Sequence, residues 1–228
     1  MIDFARYDAL TFDCYGTLID WERGIVETLR ATAGGGAIDH DRALESYARS
    51  EARLESGEYL PYREIVARSM AEVCSELGVE VDDADRERFG RSVGEWPPFD
   101  DSAEALRRLA TRFRLGAITN CDDDLFDRSA GRLGIEFDWV VSAQQARAYK
   151  PSPEPFRLAL ERIDVPAERI LHVAQSLFHD HVMARRMGLA SVWIDRRRGM
   201  PGSGATPPAE ADPDAAYPDM RSFADAAV

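Results

Sequence analysis

Apolar residues follow two different patterns along the chain, and each pattern predicts a different kind of element. The short run "YDALTFD" (7–13) is rich in β-forming residues and predicts a buried strand. Between residues 21 and 96, apolar positions instead recur every three or four residues, as in "DRALESYARSEARLESGEY" and "YREIVARSMAEVCSELG", which predicts helices. The segment "GGGAID" (34–39) separates two of these helices, with Asp39 as an N-cap. Two prolines in "SVGEWPPFDD" (92–101) end the helical region.

After residue 100, helical patterns alternate with short apolar runs. The runs are predicted strands at "FRLGAIT" (113–119), "FDWVVS" (137–142), "ILHVA" (170–174) and "ASVWI" (190–194). Strands that alternate with helices in this way predict an α/β fold, with a Rossmann-like parallel sheet and helices on both faces. The first predicted strand is followed by the all-helical region, which is therefore an insertion. Residues 199–216, rich in Gly, Pro and Ala, predict a long mobile loop.

Composition limits the kind of protein this is. The 228 residues are 45% hydrophobic, with 28 Lys and Arg against 41 Asp and Glu, so the net charge is -13. This balance argues against a nucleic-acid partner, and no apolar run reaches membrane-spanning length. The three scattered cysteines and the absence of a signal-peptide pattern predict a cytoplasmic protein with reduced thiols. These features are compatible with a homodimer.

Polar residues follow four of the predicted strands. They are, in chain order, Asp13, Thr119, Asn120, Lys150, Gln175, Ser176 and Asp180. The carboxyl ends of parallel strands meet at one edge of the sheet, so these side chains are expected to converge. Each one alone has a structural explanation, such as a helix cap for Asn120 or a favourable first-turn acid for Asp180. The ordered set predicts an active site.

The motifs that contain these residues resemble those of the haloacid dehalogenase superfamily over nearly the whole chain. The resemblance is carried by "FDCYGTL" (12–18), "ITN" (118–120), "YKPSPEPF" (149–156) and "HVAQSLFHDHVMARRMGLASVWIDR" (172–196). It implies a Rossmann-like core formed by residues 1–17 and 96–228.

The resemblance also implies that residues 18–95 form an all-helical cap domain, and it assigns roles. Asp13 is the expected covalent nucleophile, with Thr17 in the catalytic set beside it. Lys150 is expected to hold the carboxylate of Asp13, and Thr119 and Asn120 to bind the substrate.

Two positions separate the branches of this superfamily. Superfamily phosphatases carry an acid/base aspartate where this chain has Tyr15, and a magnesium-binding aspartate where it has Gln175. Magnesium prefers carboxylate oxygens, so neither a metal nor a cofactor is expected. The motif "FDCYGTL" is similar to that of the L-2-haloacid dehalogenase (type II) branch, which keeps tyrosine here. A halide leaves without being protonated, so the missing acid is no loss.

The resemblance to this branch implies a hydrolase that acts on carbon–halide bonds. Asp13 attacks C2 of a short 2-haloalkanoic acid and forms an ester. Water activated by Asp180 then hydrolyses the ester and releases a 2-hydroxy acid. The expected partner is a small halogenated carboxylate.

The expected substrate-binding residues are Tyr15, Arg49, Thr119, Asn120, Gln175, Ser176 and Phe178. Arg49, in "YARSEARLE", is chosen as the cap arginine that binds the substrate carboxylate or halide, with Arg53 as the alternative. Four positions depart from the branch pattern. Gln175 and Leu177 replace a Ser-x-Asn, Phe156 replaces a tyrosine, and His179 replaces a tryptophan.

Other functions stay open on the sequence. One is a Mg-dependent phosphatase of a small phosphomonoester with rearranged ligands. Another is a relative that does not dehalogenate and binds a small anion. Related caps also open strained carbon–nitrogen rings through the same ester chemistry.

Overall fold

The computed structural model describes residues 2–32 and 38–228, and its centre is a parallel sheet. The six strands are β1 (Ala9–Phe12), β2 (Arg114–Thr119), β3 (Trp139–Ser142), β4 (Ile170–Ala174), β5 (Ala190–Ile194) and β6 (Ala215–Tyr217). Their order across the sheet is β3-β2-β1-β4-β5-β6, and every pair is parallel. The predicted α/β class is confirmed. The prediction of a loop over 199–216 is corrected at its end, because β6 begins at Ala215.

Strand β1 lies in the middle of the sheet, and all four of its residues are buried. It pairs with β2 on one side and β4 on the other, so Phe12 is opposite both Ala117 and Val173. The chain runs outward from β1 to β2 and β3, and then returns to the far side of β1 to form β4. Such a reversal of strand order opens a crevice at the carboxyl ends of the strands. Asp13 is the first residue beyond β1 and therefore stands at that crevice.

In the described part of the chain, the first four α-helices after β1 lie between residues 21 and 92, where the hydrophobic pattern predicts helices. They are α1 (Trp21–Arg30), α2 (His40–Glu55), α3 (Tyr62–Glu76) and α4 (Asp83–Ser92). Asp39 caps α2 as predicted, since its side chain accepts a hydrogen bond from the backbone N–H of Arg42. The rest of the "GGGAID" prediction falls on residues 34–37, outside the described residues, and on Ile38. The assignment of residues 18–95 to a cap domain stays a prediction.

The remaining α-helices of the described residues connect the strands, except α10, which follows β6. They are α5 (Ser102–Leu109), α6 (Asp123–Leu133), α7 (Ala143–Ala146), α8 (Pro153–Arg162), α9 (Val182–Arg186) and α10 (Met220–Ala227). A π-helical turn, Leu177–His181, joins β4 to α9. Among the described helices, none is both long and apolar enough to cross a bilayer.

The inserted helices are attached to the sheet at the start of α3. Pro61 precedes α3 and provides no side-chain cap. Instead, Asp122, just after β2, accepts hydrogen bonds from the backbone N–H groups of Tyr62 (2.9 Å) and Arg63 (3.0 Å). A carboxylate at a helix N-terminus is favourable to the helix dipole. This contact helps to hold α3 over the carboxyl ends of the strands.

Candidate active site

A small cavity lies between the carboxyl end of β1 and helices α2 and α3. Its volume is about 20 Å³, which is room for about one water molecule. The side chains that line it are Asp13, Tyr15, Trp21, Glu51, Glu55, Tyr62, Asn120, Lys150, Ser176 and His179. Five of the sequence-predicted site residues are among them: Asp13, Tyr15, Asn120, Lys150 and Ser176.

Both carboxylate oxygens of Asp13 are held by hydrogen bonds. Oδ1 accepts from Lys150 Nζ at 2.9 Å, and Oδ2 accepts from Thr17 Oγ1 at 2.6 Å. Thr17 is placed for this by its own second contact, because its Oγ1 accepts the backbone N–H of Gln175 at 2.8 Å. Burial raises the pKa of Asp13, and the charge of Lys150 and the hydrogen bond from Thr17 oppose that rise. The carboxylate is therefore fixed in orientation, and Lys150 and Thr17 offset part of the cost of burying its charge.

Lys150 is 1% exposed and joins two carboxylates. Besides Asp13, its Nζ donates to Asp180 Oδ1 at 2.7 Å and to the carbonyl oxygen of Ile118 at 2.8 Å. All three ammonium protons thus have acceptors. Burial alone would lower the pKa of Lys150, but the charges of Asp13 and Asp180 outweigh it and raise that pKa. Lys150 is charged throughout the physiological pH range.

Asp180 is fully buried, and only one of its oxygens is engaged. Oδ1 accepts from Lys150 and contacts His172 Nε2 at 3.0 Å, and His172 Nδ1 in turn lies 3.0 Å from Thr11 Oγ1. Burial alone would raise the pKa of Asp180, but Lys150 and His172 lower it below its usual value. Oδ2 has no hydrogen-bond partner among the described residues. Asp180 therefore stays ionised and keeps one free acceptor oxygen.

Asn120 connects the segment after β2 to that before α8. Its Oδ1 accepts the backbone N–H of Lys150 at 2.7 Å, and its Nδ2 donates to the carbonyl of Lys150 at 3.0 Å and to Glu55 Oε1 at 3.2 Å. The amide thus sets the position of the Lys150 backbone. Thr119 is buried at the end of β2 and does not line the cavity, and its Oγ1 has no partner in the described part of the chain.

The Tyr15 side chain lines the cavity, but its hydroxyl is not placed to act as an acid. Its hydroxyl lies 2.9 Å from Ser129 Oγ and accepts a 3.3 Å hydrogen bond from Cys121 Sγ, so it is engaged away from Asp13. Burial raises the pKa of Tyr15 well above its usual value. Gln175, which does not line the cavity, is fixed through its backbone: the N–H donates to Thr17, and the carbonyl accepts from Trp193 Nε1.

The structure does not place the expected cap arginine at the cavity. Arg49 pairs with Glu76 and Arg53 with Glu72, and the two arginine side chains are 63% and 58% exposed. The reason is the rotation of α2 about its axis, which determines which residues face the cavity. Successive helical residues are rotated by about 100°, so Arg49 lies about 200° from Glu51, which faces the cavity. Both arginines point to solvent.

Phe178 is also displaced from its expected place. It packs on the ring of His179 and lines an adjoining cavity of about 400 Å³. That larger cavity shares Glu55 and Lys150 with the small one. Phe178 therefore contacts the approach to Lys150 and not the space beside Asp13.

Sequence reasoning missed an acidic patch opposite Asp13. Glu51 accepts hydrogen bonds from the hydroxyls of Tyr47 and Tyr62, and burial followed by the charge of Glu55 raises the pKa of Glu51 to about 8. Glu55 lies one turn further along α2, with its side chain 6% exposed. The signal was present: Tyr47, Glu51 and Glu55 recur every four residues on the buried face of α2.

The donor set does not suit a magnesium ion. Among residues 2–32 and 38–228, no group of three or more His, Cys, Asp and Glu is arranged to hold a metal. Lys150 Nζ pairs with both Asp13 and Asp180, so the cation between these two carboxylates is an ammonium group. Tyr15 and Gln175 offer no carboxylate in place of the two that superfamily phosphatases use.

Comparison with known proteins identifies the family. The sequence model of the haloacid dehalogenase-like hydrolases matches residues 7–188. The chain belongs to this family. An (S)-2-haloacid dehalogenase of Pseudomonas putida is 27% identical over 194 residues, covering 83% of this chain and 85% of the relative. A 5-amino-6-(5-phospho-D-ribitylamino)uracil phosphatase of Escherichia coli is 28% identical over 210 residues, covering 85% and 86%.

The fold of this haloacid dehalogenase-like hydrolase is shared with solved dehalogenases. The L-2-haloacid dehalogenase from Xanthobacter autotrophicus superposes with a TM-score of 0.78 at 23% identity, covering 96% of this chain and 97% of that one. Curated 2-haloacid dehalogenases at this level of similarity support dehalogenase chemistry at the level of the family. The choice between carbon–halogen and phosphoester substrates has to be argued from the site.

Proposed function

We propose that this hydrolase cleaves the carbon–halogen bond of short 2-haloalkanoic acids through an ester on Asp13, without a metal ion. The observation that carries the proposal is the arrangement around Lys150. One buried ammonium holds Asp13 Oδ1 at 2.9 Å and Asp180 Oδ1 at 2.7 Å. Asp13 is thereby held at the edge of a small cavity by an ammonium group.

The first half-reaction is a displacement at C2. Asp13 attacks C2 with a carboxylate oxygen, the carbon–halogen bond breaks, and the halide leaves with the bonding electron pair. Thr17 and Lys150 hold the carboxylate in one orientation during attack, which reduces the entropic cost of reaching the reactive geometry. No proton is needed on the leaving group, so the engagement of the Tyr15 hydroxyl by Ser129 costs nothing.

The second half-reaction is hydrolysis of the ester. We assign Asp180 as the general base, because its Oδ2 has no hydrogen-bond partner among the described residues. The lowered pKa of Asp180 keeps it ionised while the ester exists. Water gives a proton to Asp180 as its oxygen attacks the carboxyl carbon of Asp13. That proton passes to the oxygen of the leaving 2-hydroxy acid, and the Asp13 carboxylate is restored with release of one proton to solvent. Lys150 faces the carbonyl on which negative charge develops.

Isotope labelling tests the covalent step. In a single turnover of 2-chloropropionate in ¹⁸O-water, with enzyme in excess, we expect label on the peptide that contains Asp13, none in the product, and inversion at C2. Asp13→Asn should not turn over. EDTA should leave the rate unchanged. Label in the product with Asp13 unlabelled would instead mean direct attack by water. Magnesium-dependent release of phosphate from a phosphomonoester would favour the phosphatase alternative.

A further inference from the structure

His179 presents an unpartnered nitrogen to the cavity. Its Nδ1 lies 3.0 Å from Ser176 Oγ, and its side chain is 9% exposed. Nε2 has no hydrogen-bond partner among the described residues, and the nearest carboxylate oxygen, Glu55 Oε2, is 3.6 Å away. A ring that accepts the Ser176 hydrogen bond at Nδ1 carries its proton on Nε2, and the protonated ring carries one on each nitrogen. In these two states Nε2 is a donor that faces the cavity, whereas a neutral ring that donates from Nδ1 to Ser176 has an acceptor there. The raised pKa of His179 favours the protonated ring.

The cavity offers few cations for an anionic substrate. Among the described residues that line it, Lys150 and His179 have the basic side chains. The three protons of Lys150 already have acceptors in Asp13, Asp180 and Ile118. The arginines expected from the sequence face solvent on the other side of α2. His179 is the remaining basic group with an unused donor.

We propose that His179 binds the carboxylate of the substrate through Nε2, and that Glu55 takes up one proton from solvent as that carboxylate enters. This inference deepens the proposed function, on which it rests, by assigning the cation that an anionic 2-haloacid requires. The 3.6 Å contact between Glu55 and His179 and the cavity of about 20 Å³ leave room for about one water molecule, so entry of the substrate carboxylate requires Glu55 to move away from His179. A buried carboxylate that loses its cationic partner is more stable protonated.

The charges that face His179 make this binding dependent on pH. They are Glu55 and Glu51 on α2 and Asp180 on its own turn. Burial alone would lower the pKa of His179, but these three carboxylates raise it. Burial also raises the pKa of Glu55. At higher pH Glu55 is ionised and competes for the ring, so anion affinity falls by up to about tenfold per pH unit.

Calorimetry with glycolate, the product expected from chloroacetate, tests the assignment without turnover. Glycolamide is the matched neutral probe. We expect glycolate to bind with uptake of up to about one proton, seen as a difference between buffers of unlike ionisation enthalpy. Its affinity should fall as pH is raised, by up to about tenfold per pH unit. Glycolamide should bind without that dependence.

Variants separate His179 from the other cation nearby. His179→Gln should weaken glycolate by about 10- to 100-fold and glycolamide by less than about threefold. Glu55→Gln should bind glycolate more tightly and with little dependence on pH. The contrasting variant is Arg147→Gln, which changes the exposed cation of the adjoining cavity and should leave glycolate affinity within about twofold. In the wild-type protein, the Nε2 resonance of His179 should shift when glycolate binds, whatever the fate of the variants.

Four outcomes would overturn the assignment. Glycolate that does not bind at millimolar concentrations, or that binds equally well to His179→Gln, means that His179 is not its site. Loss of glycolate binding in Arg147→Gln alone moves the anion site to the adjoining cavity. Ethanolamine binding better than glycolate would mean that Glu51 and Glu55 select a cation. Each of these outcomes can occur while the isotope label still appears on Asp13. The experiments therefore distinguish a wrong assignment of His179 from a wrong proposed function.

Discussion

Lys150→Met removes the cation between Asp13 and Asp180 and leaves an uncharged side chain of similar length. The ammonium is buried, 2.9 Å from one carboxylate and 2.7 Å from the other. Removing one partner of a buried ion pair costs about 3–5 kcal/mol, because the remaining charge is left without compensation. Here a single ammonium serves two carboxylates, so the substitution leaves both of them uncompensated.

Without Lys150 the two carboxylates bind protons more tightly, and this determines how kcat/KM and the free energy of unfolding change with pH. Without Lys150 the pKa of Asp13, already raised by burial, rises further. If the whole penalty falls on ionising Asp13, kcat/KM at neutral pH drops by up to about 10²- to 10⁴-fold, since 1.4 kcal/mol is a factor of ten. Activity should recover partly as pH rises. The folded variant holds more protons than the unfolded chain, so its free energy of unfolding should fall as pH rises.

The chain offers a sharp assay, because Lys150 is its only lysine. Labelling with ¹⁵N-lysine gives a single side-chain signal, which should stay that of a protonated amine across the pH range in which the enzyme is folded. Halide release and urea unfolding should be measured at several pH values beside Arg185→Met, which removes an exposed ion pair with Asp212. Lys150→Met activity within about tenfold of wild type at neutral pH, with no alkaline shift, would refute the reasoning.

Two further predictions concern helix α2. Arg49→Ala and Arg53→Ala should each change kcat/KM by less than about twofold, because each variant loses only an exposed ion pair. A large rise in KM for either variant would mean that its arginine binds the substrate. Glu51→Gln should raise the melting temperature at neutral pH. The pKa of Glu51 is about 8 in the folded protein and about 4.5 in the unfolded chain, so the free energy of unfolding of the wild type falls as pH rises between these values. Thermal melts at pH values on either side of this range measure the gain, and an equal gain at acid pH would contradict the cause given.

Most of the sheet could be predicted from the sequence, because the strands are short apolar runs separated by helical patterns. The exception is β6. Its three residues, Ala215–Tyr217, carry little β-forming preference, and they pair only with β5 at the sheet edge. The strand satisfies backbone hydrogen-bonding groups of β5 and of the residue after it, where the Asp195 N–H donates to the carbonyl oxygen of Tyr217 at 2.8 Å. Such long-range pairing leaves no local signal.

The strand-end residues of the site could also be predicted, while the residues facing them could not. Asp13 and Lys150 converge because parallel topology fixes where strand ends lie. The α2 residues depend on which face of that helix turns inward. Buried Leu44, Tyr47 and Ala48 define that face, and Glu51 continues it. Choosing by residue type selected an arginine, whereas helical phase would have selected the glutamates.

The single lysine also shows that geometry, and not charge alone, determines the residue at position 150. The chain has 28 lysines and arginines, and 27 of them are arginine. At position 150 the cation meets three acceptors grouped around one point: two carboxylate oxygens and the Ile118 carbonyl. A compact ammonium donates to all three, whereas the planar fork of a guanidinium directs its donors in one plane and needs more room. Charge would be preserved by arginine at this position, but the three contacts that orient Asp13 and Asp180 would not.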